Sequence, residues 1–320
     1  MNVKRLIKSC PITSGLYTFL KKKRDAHRAK MKFSYHGQFV NRSKGKKYLL
    51  VVLAGYKEYL YPAVFSRIEN YSIDDLDVCV VSSGKYSEKL VELCEKNSWS
   101  YLSTKENNVS LVQNIAIRLH PEARYIFKLD EDIFITEGFF ENLIRAYEHS
   151  SNGLYNPGVV APLIPINGYA HVRVLEKLGL MSEYEKRFGS LKYAAGHDRP
   201  IENSPEVARF FWGEDGVIPD IDEMNRLFAS GPVEERPVPI RFSIGAILFE
   251  KSLWEDMGYF SVERNSVSLG KDEVELCTYC NIHSRPILTS ENVLVGHFSF
   301  GPQNEKMKEY FYEHEDRFLA

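Results

Sequence analysis

No stretch of this 320-residue chain approaches the roughly 18 consecutive apolar residues that a membrane span requires. A secretory signal is not expected either, because residues 1–30 hold no apolar core with a small-residue cleavage site. Cysteine is scarce. Cys10, Cys79, Cys94, Cys277 and Cys280 are an odd, dispersed set, which argues against a disulfide scaffold and fits a reduced, cytosolic setting. Cys277-x-x-Cys280 has metal or redox spacing, but no second pair accompanies it, and helical neighbours in a core explain it better. No recognised nucleic-acid motif occurs. There is no low-complexity tract and no internal repeat. An aromatic content of 13% excludes a disordered chain.

Acidic residues are almost missing from the beginning. Residues 1–47 carry 14 of the 41 Lys and Arg residues and a single acid, Asp25, out of 43. A basic arm, residues 1–46, thus precedes an acidic body. Within it, Leu16, Tyr17, Phe19 and Leu20 adjoin the run KKKR, a composition suited to an anionic membrane surface at the inner face of a membrane. A basic helix packed on its own acidic body is the alternative. Nucleic-acid binding is disfavoured by the charge of that body.

From Lys47 onward the pattern becomes regular. YLLVVLAGY, LDVCVVSS, WSYLST, YIFKLD and GVVAPLI read as strands, and helical periodicity fills the intervals between them. Alternating strands and helices predict a mostly parallel, Rossmann-like α/β sheet flanked by helices. Residues 165–240 read as an irregular insertion, with helices near 171–187 and 220–229. Order returns with IRFSIGAILFE and a helix after it. A further helix opens at Lys271, and strands follow near 286–290 and 293–298. The organisation expected is an arm (1–46) and two halves of one domain, 47–164 and 165–320.

The most unusual stretch is KLDEDIF. On a strand, Asp130 and Asp132 share a face and Glu131 points away, so that Glu131 is satisfied by backbone or a basic neighbour. Like-charged carboxylates are costly to crowd together. These lie where a parallel strand ends, the edge at which open α/β sheets bind ligands. Two oxygens on one side suit Mg2+ or Mn2+, with positions left for substrate phosphates. One carboxylate capping the helix near Thr136 is the plainer reading.

The downstream order of motifs resembles glycosyltransferases of the GT-A fold, most of all the inverting family 2. Asp130-Glu131-Asp132 matches that family's Asp-x-Asp. SIGAILFEKSLWEDMGYF matches its small-residue strand and helix. GKDEVEL matches its acidic pair, and VLVGHFSFG its late histidine. The resemblance covers roughly 47–135 and 241–300. It implies a nucleotide-diphosphate sugar donor, a UDP-sugar foremost, and Mn2+ or Mg2+ held by Asp130, Asp132 and His297. It implies a general base at Glu273, with Asp272 as the one-residue alternative. It places the base, ribose and diphosphate near Ala54, Gly55, Tyr56, Ser82, Ser83, Gly84, Asn107 and Gln113, and beside Asp130 and Glu131. The turn SSGKYSE and the glutamine at 113 depart from the family pattern, which leaves the nucleotide open. Trp212, Glu214 and Asp215 read as an exposed acceptor site, since aromatics stack on sugars. FSFGPQNEKMK reads as a mobile flap. The implied partner is a glycan or lipid-linked acceptor in bacterial surface polysaccharide, capsule or lipopolysaccharide synthesis. A sugar-phosphate nucleotidyltransferase is the rival enzyme, although LAGYKEYLYP lacks the Gly-rich basic loop it needs. A non-catalytic glycan- or membrane-binding module is the third reading.

Overall fold

A computed structural model describes residues 30–193, 199–263 and 270–319. Most of the expected basic arm, residues 1–29, lies outside the described residues. Its end belongs to the body: Gly37–Val40 forms β1, antiparallel to Ser100–Thr104 (β4). Lys32 Nζ donates to the Tyr259 carbonyl at 3.0 Å, and Phe33 packs edge-on against that tyrosine ring.

The first half alternates as its apolar periodicity requires. Tyr48–Leu53 (β2) leads to Tyr61–Tyr71 (α1), and Leu76–Ser83 (β3) to Glu88–Lys96 (α2). After β4 comes Val109–Leu119 (α3), and then Tyr125–Asp130 (β5). Ser87 and Asn108 cap α2 and α3, each accepting the backbone N–H three residues on. Strands β4, β3, β2 and β5 are parallel neighbours. β2 and β3 are buried along nearly their whole length, as strands covered on both faces must be.

A two-residue ribbon strand, Ile133–Phe134 (β6), follows β5, and Phe139–Asn152 (α4) leads to Val159–Leu163 (β7). Glu235–Pro237 (β8) lies at the far edge of the sheet. Ala246–Glu250 (β9) inserts antiparallel between β5 and β7. Ile287–Leu294 (β10) pairs parallel with β7. The nine-stranded order is β1-β4-β3-β2-β5-β9-β7-β10-β8, a mixed sheet that is mostly parallel.

Two expectations for the C-terminal half are corrected. The strands placed near 286–290 and 293–298 are one strand, β10, whose register on β7 shifts between Ser290 and Leu294. The chain then enters Gly296–His297 (β11), which pairs with β6 rather than with the main sheet. The insertion 165–240 is more helical than its weak periodicity implied. It holds helices at Ala170–Leu178, Met181–Phe188, Pro205–Phe211 and Ile221–Ala229. Left-handed Gly179 separates the first two.

Asn114 ties α3 to the segment around Trp254 and Phe260. Its Oδ1 accepts from Trp254 Nε1 (2.8 Å) and Phe260 N (3.1 Å), and its Nδ2 donates to Phe260 O (2.9 Å). The side chain is fully buried. Asn114→Ala strands these partners, so it should lower unfolding free energy by about 2–4 kcal/mol, at roughly 1–3 kcal/mol per unsatisfied group. Urea denaturation with an unchanged slope would measure this.

Candidate active site

A cavity of about 410 Å3 opens at the C-terminal ends of β2, β3 and β5. Five carboxylates from two distant segments line it: Asp130, Glu131 and Asp132, and Asp272 and Glu273. The latter pair opens Lys271–Ile282 (α6), numbering Lys251–Asp256 as α5. β5 ends at Asp130, and Glu131 and Asp132 form a turn before β6. Strand alternation therefore does not continue through the triplet, yet Asp130 and Asp132 still face one cavity.

Glu131 has turned under the loop after β2. It accepts from Gly55 N at 2.8 Å and Tyr56 N at 3.0 Å. Burial pushes its carboxyl pKa up, and these backbone donors offset part of that rise. Gly55, at φ +135°, is in a backbone region that side chains rarely adopt.

Asp132 sits between two bases. Lys57 Nζ lies 2.5 Å and His297 Nε2 3.6 Å from the same oxygen, Oδ2. Burial opposes ionisation of Asp132, but Lys57 and His297 outweigh it and hold the carboxyl well below the usual range. His297 Nδ1 donates to the Ile166 carbonyl at 2.7 Å, which turns Nε2 toward Asp132. The β6–β11 pairing brings the histidine there, with His297 opposite Ile133. Phe298 N also donates to the Asp132 carbonyl.

Asp130 pairs with Lys128 Nζ at 2.6 Å, and the same ammonium donates to the Ile244 carbonyl at 2.8 Å. Burial pushes the Asp130 carboxyl up; Lys128 opposes that rise and the Asp132 charge adds to it. Gly245 lies close by: a Cβ there would stand 3.0 Å from Ile133 Cδ1 and in ordinary contact, 3.6 Å, with Asp130 Oδ2.

The acidic pair divides its partners. Asp272 Oδ2 accepts from Gln113 Nε2 at 2.8 Å. Glu273 pairs with Arg241 and accepts from Ser243 Oγ at 3.3 Å. Burial raises the Glu273 pKa, and Arg241 opposes the rise. Gly270 supplies the left-handed turn into α6, at φ +82°.

The remaining sequence candidates separate. Ala54, Tyr56 and Ser83 line the cavity. Ser82 is buried beneath them, bonded to Tyr101 Oη and the Lys85 carbonyl. Left-handed Gly84 lies against Asn107, where a Cβ would meet the asparagine at 2.6 Å. Asn107 accepts from Tyr56 Oη at 3.4 Å. Gln113 does not itself line the cavity; its Nε2 donates to Asp272, which does.

The expected exposure of Trp212 is corrected, while Glu214 and Asp215 are exposed. Trp212 is buried, with its ring against Phe134 and Phe318 and its Nε1 donating to the His297 carbonyl at 3.1 Å. It braces β11 from behind. Glu214 pairs with Arg209 and Asp215 with Arg187, and none of the three lines the cavity. Nor is the segment after His297 a free flap. Phe300, Gly301 and Asn304 line the cavity, and Asn304–Glu313 (α7) begins at once. Gln303 ties the turn to the Ile201 and Ser204 carbonyls at 3.1 and 3.0 Å. Cys280 is a buried core thiol pushed up to about 12 by burial, and Cys277 is its helical neighbour.

Lys57, Lys128, Arg241, Ser243 and Asn167 were not among the sequence candidates, yet each lines the cavity or bonds to a residue that does. Lys128 carried a signal: it is a charge within an otherwise apolar strand, two positions before Asp130. Arg241 carried none, since its role depends on the fold bringing it to α6.

Among the described residues, no three His, Cys, Asp or Glu side chains gather as a ready-made metal cluster. A carboxylate and an imidazole nitrogen facing each other across 3.6 Å nonetheless fit a divalent cation chemically, as two protein ligands with room for phosphate oxygens.

No protein-family model matches the chain, and no curated protein does. Solved structures are similar. The mannosyltransferase PcManGT from Pyrobaculum calidifontis, solved with GDP-Man and Mn2+, is 14% identical at a TM-score of 0.47. That alignment covers 91% of this chain and 66% of the mannosyltransferase, just under two thirds. TarS residues 1–349 from S. aureus are 12% identical at a TM-score of 0.45, with 86% and 69% covered.

Proposed function

We propose that this protein is a GT-A-type glycosyltransferase of the inverting, family 2-like kind. It moves a sugar from a nucleotide-diphosphate donor to a glycan hydroxyl. The observation that carries the reading is the convergence, in one cavity at the C-terminal strand edge, of Asp132 with His297 and of Asp130 with the acidic start of α6. Bacterial surface-polysaccharide assembly is the setting proposed for the acceptor.

The donor diphosphate lies against Lys57, Asp132 and His297, and its nucleoside lies toward Ala54, Tyr56 and Ser83. Asp132 and His297 would hold Mn2+ or Mg2+, whose charge would stabilise the departing diphosphate. Lys128 fixes Asp130, and Glu131 fixes the loop that receives the nucleoside. Glu273, held by Arg241 and Ser243, accepts the proton of the acceptor hydroxyl as that oxygen attacks the anomeric carbon. One base and one face of attack give inversion. Burial raises the Glu273 pKa, which brings the base nearer to neutral pH.

Purified protein with Mn2+ and a panel of nucleotide-sugars should release nucleoside diphosphate, slowly without acceptor and faster with it. Release of pyrophosphate from a nucleoside triphosphate and a sugar phosphate would overturn the proposal. So would the absence of turnover with every donor.

A further inference from the structure

Lys57 already holds the carboxylate oxygen that a cation shared by Asp132 and His297 would need. Its Nζ lies 2.5 Å from Asp132 Oδ2, the oxygen that also faces His297 Nε2. Both side chains of the pair are largely buried, Lys57 at 18% and Asp132 at 10% exposure. Two positive charges on one desolvated oxygen repel strongly. A divalent ion therefore binds Asp132 well only if Lys57 leaves it.

A displaced ammonium needs another anion, and the cavity's other carboxylates have partners of their own. Glu131 holds the Gly55 and Tyr56 amides, and Asp130 holds Lys128. Glu273 holds Arg241, and Asp272 holds Gln113. The counter-charge must therefore come with a ligand. Lys128 is no substitute for Lys57, since it is buried at 4% exposure and tied to the Ile244 carbonyl as well as to Asp130. Lys57 combines a firm base with a free stem. The preceding loop is clamped by Glu131, while the side chain reaches into the cavity on four methylenes.

We propose that Lys57 is a donor-binding residue that exchanges between Asp132 and the donor's diphosphate, so that diphosphate binding opens the cation site. This rests on the reading of the cavity as a nucleotide-sugar site. Without diphosphate, Lys57 neutralises Asp132 and keeps the affinity for divalent cations low. With it, the ammonium moves to the phosphates and frees the Asp132–His297 edge. Linkage makes the effect reciprocal, so a bound cation strengthens diphosphate binding by the same factor.

Lys57→Met tests this in the full chain. Mn2+ binding followed by electron paramagnetic resonance without nucleotide should tighten about tenfold or more, within the usual range of such couplings. UDP and GDP binding without metal, followed by calorimetry, should weaken about tenfold as a charge-assisted contact is lost. Lys57→Arg, which keeps the charge, should leave Mn2+ binding weak. In thermal melts Mn2+ should raise the Tm of Lys57→Met more than that of wild type, a readout that also reports whether the variant folds. A folded Lys57→Met protein that binds Mn2+ no more tightly than wild type overturns the exchange. Wild-type protein that binds no nucleoside diphosphate across a panel of UDP, GDP, ADP, CDP and dTDP overturns the glycosyltransferase reading itself, a result distinct from the Mn2+ comparison made without nucleotide.

Discussion

Asp132→Asn should abolish donor hydrolysis and transfer, with kcat falling about 10²–10³-fold or more, the usual cost of removing one preorganised electrostatic partner from a dry site. The side chain keeps its size and loses its charge. Lys57 and His297 would then face a neutral amide in a space that is 10% exposed on the aspartate side. Both effects act on the group proposed to hold the leaving diphosphate. Donor hydrolysis and transfer should fall together, because the loss precedes acceptor attack. Chromatographic detection of released nucleoside diphosphate, with and without acceptor, separates the outcomes. Full activity in the variant would remove Asp132 from the proposed mechanism. Asp130→Asn should have a milder effect on donor handling, since Lys128 is held by the Ile244 carbonyl as well.

Glu273→Gln should leave donor affinity near wild type and reduce transfer about 10²–10⁴-fold, the usual contribution of a positioned general base. Glu273 is held by Arg241 and Ser243 on the α6 side of the cavity, away from the Lys57–Asp132 pair. The pH dependence has a definite sign. Burial raises the carboxyl pKa above its ordinary 4.5, and only the ionised form accepts a proton. Transfer should therefore rise as pH increases through that elevated value, with an acid limb to the alkaline side of an ordinary glutamate. Arg241 opposes the rise, so Arg241→Met should move the acid limb further toward alkaline pH while Glu273→Gln removes it. The equivalent test at Asp272 decides the register. If Asp272→Asn spares donor binding and loses transfer while Glu273→Gln does not, the base is Asp272.

The main sheet was legible because its signals are local. A short apolar run such as YLLVVL, followed by helical periodicity, reads as a covered parallel strand, and β2 is one. The acidic triplet was legible because charge at the end of such a run is conspicuous. Its geometry was read only in part. Glu131 reaches the Gly55 and Tyr56 amides through a turn and not through strand alternation, and it lines the same cavity as the two aspartates. The expected exposure of Trp212 failed for a similar reason. Trp212 in a Gly-rich, charged stretch looks exposed, and nothing nearby in the chain reveals that Phe134 and Phe318 will enclose it.

Residue types and their order along the chain settled the alternating α/β plan and the carboxylates at 130, 132, 272 and 273. They did so because periodicity and the penalty for clustered charge act over a few residues. Which base meets which acid was decided only when β6 paired with β11 and β9 entered between β5 and β7. Those pairings carry His297 to Asp132 and the Ile244 carbonyl to Lys128. The loop clamp that aims Lys57 at Asp132 likewise joins β2 to the end of β5. Contacts between segments 70 to 160 residues apart reflect the packing of whole elements, and no local pattern encodes their partners.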